Sequence, residues 1–128
     1  MPAAGRRNVT PDEPERPAIH VALGNEADER LYGRVAVGAE EEGIPCRLVP
    51  EEGSDAVALA FSAAGSSRLG VGVGVASGRV AVHERHMPAG RPVVATEAGD
   101  RAEDACRQAG SNAARLVIGV PLWLLQER

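Results

Sequence analysis

The chain has 128 residues, with 14 basic and 18 acidic side chains and a formal net charge of −4. That length suits one domain. The acidic balance, with a single Trp, Tyr and Phe, speaks against nonspecific nucleic-acid binding, which needs a basic surface and aromatic stacking platforms. No apolar run approaches the length of a membrane span. Arg6 and Arg7 are followed by no apolar stretch, so the start does not read as a secretory signal. Cys46 and Cys106 form neither a Cys-x-x-Cys pair nor a zinc spacing, which fits a reducing cytoplasm.

Residues 1–17 carry Pro2, Pro11, Pro14 and Pro17 among Gly, Arg, Asp and Glu, and they read as a disordered arm. A domain over residues 18–121 follows. Ala18 to Leu23 is nearly all apolar, as expected of a buried strand in an α/β sheet. His20 within it reads as a core histidine. Gly24-Asn25 is a turn, with Asn25 as N-cap of a first helix whose opening turn holds Glu26, Asp28 and Glu29. Leu31, Val35 and Ala39 form its apolar stripe. Gly43 and Pro45 stop it, and Cys46 to Val49 is a second strand, completing a right-handed crossover. Ser54 or Asp55 caps a second helix that fades at Gly65-Ser66-Ser67.

Leu69 to Ala76 alternates Gly and Val. Period-2 alternation puts Gly70, Gly72 and Gly74 on one face of a strand. Such a face implies something packed very close to the backbone: a helix, a partner subunit or a flat cofactor. A dinucleotide site fits poorly, because the third glycine is missing and a turn follows instead of a helix. Ser77-Gly78 turns the chain into Arg79 to Glu84. His83 and His86 lack a third ligand at a zinc spacing. Val93 to Thr96 is a last strand. The final helix has Ala102, Ala105, Cys106, Ala109, Ala113, Leu116 and Val117 on its inner side; Gly110 is a candidate interruption within it, and Gly119 and Pro121 are expected to end it. The tail, residues 122–128, is short and apolar at Leu122-Trp123-Leu124-Leu125; it folds back or meets a partner. The element order predicts a single-domain three-layer α/β sandwich, with a mixed sheet of about five strands and helices on both faces.

The end of the first helix breaks a rule. Glu40, Glu41 and Glu42 stand in its last turn, at the negative end of the helix dipole, where carboxylates are unfavourable and Lys or Arg would be favoured. A local violation of this kind points to a cation, either a hard metal ion or a basic surface. A simple solvated face is the competing reading.

Two stretches carry a resemblance. Gly38-Ala39-Glu40-Glu41-Glu42-Gly43-Ile44-Pro45 and Gly110-Ser111-Asn112-Ala113-Ala114-Arg115-Leu116-Val117-Ile118-Gly119-Val120-Pro121 resemble the signature segments of the small (β) subunit of the diol/glycerol dehydratase reactivating factor. Between them, Val82-His83 and Met87-Pro88 resemble that family's short strand and Leu-Pro loop. The resemblance implies a non-catalytic, cytoplasmic subunit of a chaperone. Its expected partners are a large ATPase subunit and the large subunit of a coenzyme B12-dependent dehydratase. The factor rescues that enzyme by letting damaged cobalamin leave, the small subunit swapping with the dehydratase's medium subunit, whose fold it shares. The resemblance further implies that Glu41 binds Mg²⁺ or Ca²⁺ at the interface with the large subunit. Glu40, Glu42 and Arg115 would lie at that interface, and the isolated subunit would need no cofactor. The glycine strand and its Ser-Gly hairpin look closer to the dehydratase medium subunit. An enzyme subunit with that face against cobalamin is therefore the alternative.

Overall fold

Side-chain size sorts the layers of this molecule. The computed structural model describes residues 16–122; the arm expected over 1–17 lies almost wholly outside these residues, as does the tail beyond Leu122. The elements are β1 (Ile19–Leu23), α1 (Arg30–Glu41), β2 (Cys46–Leu48), α2 (Ala56–Ser66), β3 (Val71–Ala76), β4 (Arg79–Glu84), β5 (Val94–Glu97) and α3 (Ala102–Ile118). The five strands form one sheet in the order β2-β1-β3-β4-β5. β1 pairs in parallel with β2 and β3, and β3-β4-β5 is an antiparallel meander. The mixed sheet with three helices bears out the expected α/β sandwich.

One face of the sheet is branched and bulky. Ile19, Val21, Val71, Val73, Val75, Val80 and Val82 are all buried there against Val35 and Ala39 of α1 and Cys106, Ala109 and Ala113 of α3. The other face is small. Ala22, Ala76 and Ala81 pack on Ala56, Leu59, Ala60 and Ala63 of α2. Register explains how close α2 comes, since Ala22, Gly74 and Ala81 are neighbours across three strands, as are His20, Gly72 and His83. A Cβ on Gly72 would lie 2.3 Å from the Ala64 backbone nitrogen, and one on Gly74 would lie 2.2 Å from the Ala56 carbonyl oxygen. The glycine face is therefore filled by the backbone of α2, the first of the three occupants the sequence allows.

α1 and α3 lie side by side and parallel. Arg30 senses Glu103, Gly38 meets Arg107 and Ser111, and Glu42 bonds Arg115. Their crossing is a glycine pair. A Cβ on Gly38 would lie 1.9 Å from the Arg107 carbonyl oxygen, and a Cβ on Gly110 would lie 1.9 Å from that of Val35.

Three expectations are corrected. α1 starts at Arg30, not at Glu26, and Asn25 is not its N-cap. Asn25 instead joins two loops, its backbone donating to the Gly53 carbonyl (3.0 Å) and its side chain accepting from the Gly53 amide (3.2 Å). Asp28 accepts from the Arg30 amide (2.9 Å) and grips the Arg30 guanidinium, which makes a turn of the residues read as helix. Gly110 does not interrupt α3, which runs unbroken through it because α1 needs that close approach. Gly70 does not share the face of Gly72 and Gly74. It precedes β3 in a turn with φ +75°, where its neighbour is the Arg85 side chain.

Candidate cation and partner site

The end of α1 is closed by backbone bonds. Gly43, at φ +91°, lets its amide reach the Glu40 carbonyl (3.0 Å) while the Ile44 amide reaches that of Ala39 (3.1 Å). These are the two bonds of a Schellman cap. Glu40 and Glu41 end the helix and Glu42 is its C-cap residue, so the run spans the last turn and the cap, one position beyond the expected place.

The three carboxylates diverge. Glu42 is the most enclosed, its side chain 20% exposed; its Oε2 accepts from the Ser111 hydroxyl (2.7 Å) and from Arg115 Nε (3.0 Å). Arg115 is further fixed by donating Nη1 to the Pro121 carbonyl (3.0 Å). Glu41 is half exposed and takes both ends of a fork, Arg107 Nε to Oε1 (3.2 Å) and Nη2 to Oε2 (2.5 Å). That bond holds the Arg107 pKa above its ordinary value. Glu40 is exposed, and its charge adds to the burial that pushes the pKa values of Tyr32 and Cys46 up.

The rule broken in α1 is thus answered by α3. Arg107, Ser111 and Arg115 recur every four residues and form one stripe on the parallel helix. Both helices end here with their negative poles together, and Arg115 in the last turn of α3 offsets both. The sequence reading singled out Arg115 but missed Arg107 and Ser111. Their four-residue spacing opposite an acidic helix end was the available signal.

No group of three or more His, Cys, Asp or Glu placed to hold a metal ion occurs among the described residues. As an oxygen donor Glu41 suits a hard divalent ion, and as a single exposed carboxylate it could supply only one side of a shared site.

The other singled-out residues are structural. His20 is buried with Nδ1 2.7 Å from the Ser66 hydroxyl, which donates to the Ala63 carbonyl. His83 is fully buried, accepting at Nδ1 from the Glu84 amide (3.0 Å) and donating Nε2–H to the Ala89 carbonyl (2.9 Å). Its ring lies 5.0 Å from that of Phe61 on α2. His86 is exposed and pairs with Glu84 (2.8 Å), so the two histidines do not converge. Cys46 is half buried and Cys106 fully buried. Burial first, then Glu40, pushes the Cys46 thiol up to about 12. Burial pushes that of Cys106 up to about 11. At the opposite end of α1, a cavity of about 440 Å³ opens at the carboxyl ends of β1 and β3, lined by Asn25, Glu26, Ser54, Val75, Ser77 and Arg79. Arg79 there is paired with Glu97 (2.8 Å).

This fold and this helix pair define a known class. The profile of the dehydratase medium subunit family matches residues 16–123. The diol dehydratase-reactivating factor small subunit of Klebsiella michiganensis is 40% identical over 105 residues, covering 82% of both chains. The propanediol dehydratase-reactivating factor small subunit of Salmonella typhimurium is 39% identical over 105 residues, covering 82% of this chain and 89% of that one. Among solved structures, a glycerol dehydratase reactivase superposes with a TM-score of 0.76 at 33% identity, over 85% of this chain and 98% of that one. A diol dehydratase-reactivating factor complexed with ADP and Mg²⁺ gives 0.73 at 38% identity, over 85% and 99%. The chain belongs to the dehydratase medium subunit family, as a relative of the small subunits of dehydratase-reactivating factors.

Proposed function

We propose that this chain is the accessory, non-catalytic small subunit of a factor that reactivates a coenzyme B12-dependent diol or glycerol dehydratase. It works beside a large ATPase subunit and takes the place of the dehydratase's medium subunit, so that damaged cobalamin can leave. The observation that carries the reading is the match to reactivase small subunits at about 40% identity over 82% and 89% of their length, joined to superposition over 98% and 99% of two reactivase chains. The packing of α2 on Gly72 and Gly74 removes the sequence argument for the alternative, because that face has no room left for cobalamin.

Within this reading the corner where α1 and α3 end faces the large subunit. Glu41 presents the carboxylate that would hold Mg²⁺ or Ca²⁺ there, with the remaining ligands supplied across the interface and by water. Bound there, the ion would supply positive charge that ties the two chains together. Glu40 adds field at the same end. Glu42 and Arg115, joined to each other and to α3, keep the corner rigid. A relative solved with ADP and Mg²⁺ supports Mg²⁺ as the ion available to such a complex.

The test is purification of the chain from its native cells, with and without EDTA. A large ATPase subunit that co-purifies and is lost on chelation is expected. In the Glu41→Gln variant its yield should fall without any change in the fold. A dehydratase large subunit retained under every condition would overturn the reading.

A further inference from the structure

Among the described residues two ion pairs join α1 to α3, one enclosed and the other exposed. The Glu42–Arg115 pair is enclosed, with side chains 20% and 22% exposed, and is anchored at Ser111 and Pro121. The Glu41–Arg107 pair is 47% and 49% exposed. Both side-chain hydrogen bonds of Arg107 go to Glu41 and use both carboxylate oxygens. A guanidinium in that fork and a divalent cation compete for the same atoms.

We propose that Arg107 is a resident counter-ion that occupies the Glu41 carboxylate in the free chain and must swing away when the cation binds. Arg107 thereby sets how much divalent cation assembly requires. The inference rests on the reading of Glu41 as a cation ligand. Two features make the swing a motion of the side chain alone. The Arg107 backbone is pinned against Gly38, where not even a Cβ would fit. Asp104, one turn earlier on the same face, already acts on the Arg107 charge and offers the freed guanidinium a second carboxylate. The free chain thus keeps the Glu41 carboxylate paired and closed to stray cations.

The experiment is a divalent-cation titration of binding between the purified chain and its large subunit, followed by fluorescence anisotropy and repeated with Arg107→Gln, Arg107→Lys and Glu41→Gln. Circular-dichroism melts check that each variant is folded. Loss of an exposed pair shifts such an equilibrium modestly, so Arg107→Gln should lower the half-saturating Mg²⁺ concentration roughly two- to fivefold. Arg107→Lys, which keeps the charge but not the fork, should fall between Arg107→Gln and the parent chain. Glu41→Gln should remove the cation dependence. If the parent chain binds through a cation and Arg107→Gln leaves the midpoint unchanged or raises it, the counter-ion role is wrong while the function stands. If the parent chain binds equally well in EDTA, Glu41 is not a cation ligand and the counter-ion role falls with it.

Discussion

Glu41 and Glu42 are sequence neighbours with different surroundings, and the difference comes from what α3 places opposite each. Glu42 meets Ser111 and Arg115 in a nearly closed corner. Glu42→Gln leaves a partly buried guanidinium without its carboxylate, and should destabilise the fold by about 1–2 kcal/mol in urea titrations. Its exposed neighbour Glu41 should affect assembly far more than folding. The thiols make a second residue-scale test. With Cys46 and Cys106 raised to about 12 and 11, both should resist iodoacetamide at pH 8 in the native chain and react at once in urea. Unfolded thiols ionise near pH 8.5, so between that pH and the native values the unfolded state loses protons first and stability falls as pH rises. A flat stability profile from pH 8 to 11, or fast native labelling, would contradict this burial. The acidic run was legible in the sequence as an electrostatic conflict. Its resolution was not, because the arginines that answer it lie 66 and 73 residues further on.

At the scale of elements, glycine decides where helices sit. Gly38→Ala or Gly110→Ala would drive a methyl into a carbonyl oxygen of the facing helix. Backbone cannot yield there as a side-chain tip can, so either change should cost about 3 kcal/mol or more and lower the melting temperature by many degrees. Gly33 lies in the same α1 with nothing within 4 Å of its would-be Cβ. Gly33→Ala should therefore stabilise the chain by about 0.5–1 kcal/mol, since only helix propensity is at stake. Thermal melts of the three variants read the contrast directly. If all three shift the same way, the close helix crossing is not real. The glycine alternation in β3 was readable because a strand has period 2, but its filler, α2, could not be picked from three candidates without the register that aligns Ala22, Gly74 and Ala81. Gly110 misled because intrinsic propensity counts it as a breaker, whereas the packing of α1 requires it. Asn25 misled for the opposite reason: a side chain suited to capping was taken by the neighbouring Gly53 loop.

At the scale of the molecule, the order of strands and helices gave the three-layer sandwich, because a strand-helix-strand crossover followed by a hairpin allows few arrangements. What no periodicity could supply was that α1 and α3 run parallel on one face. That arrangement gathers two negative helix ends, three glutamates and two arginines at a single corner. The corner, distant from the cavity at the carboxyl edge, is the face proposed for the large subunit. The proposed role in reactivation is tested on a B12-dependent diol or glycerol dehydratase inactivated by loss of its adenosyl group. The large reactivase subunit, ATP, Mg²⁺ and fresh coenzyme are added, with or without this chain, and returning activity is followed. Recovery is expected only when the chain is present, with the chain absent from the recovered enzyme. Equal recovery without it, or its permanent incorporation into active dehydratase, would rule out a reactivase role.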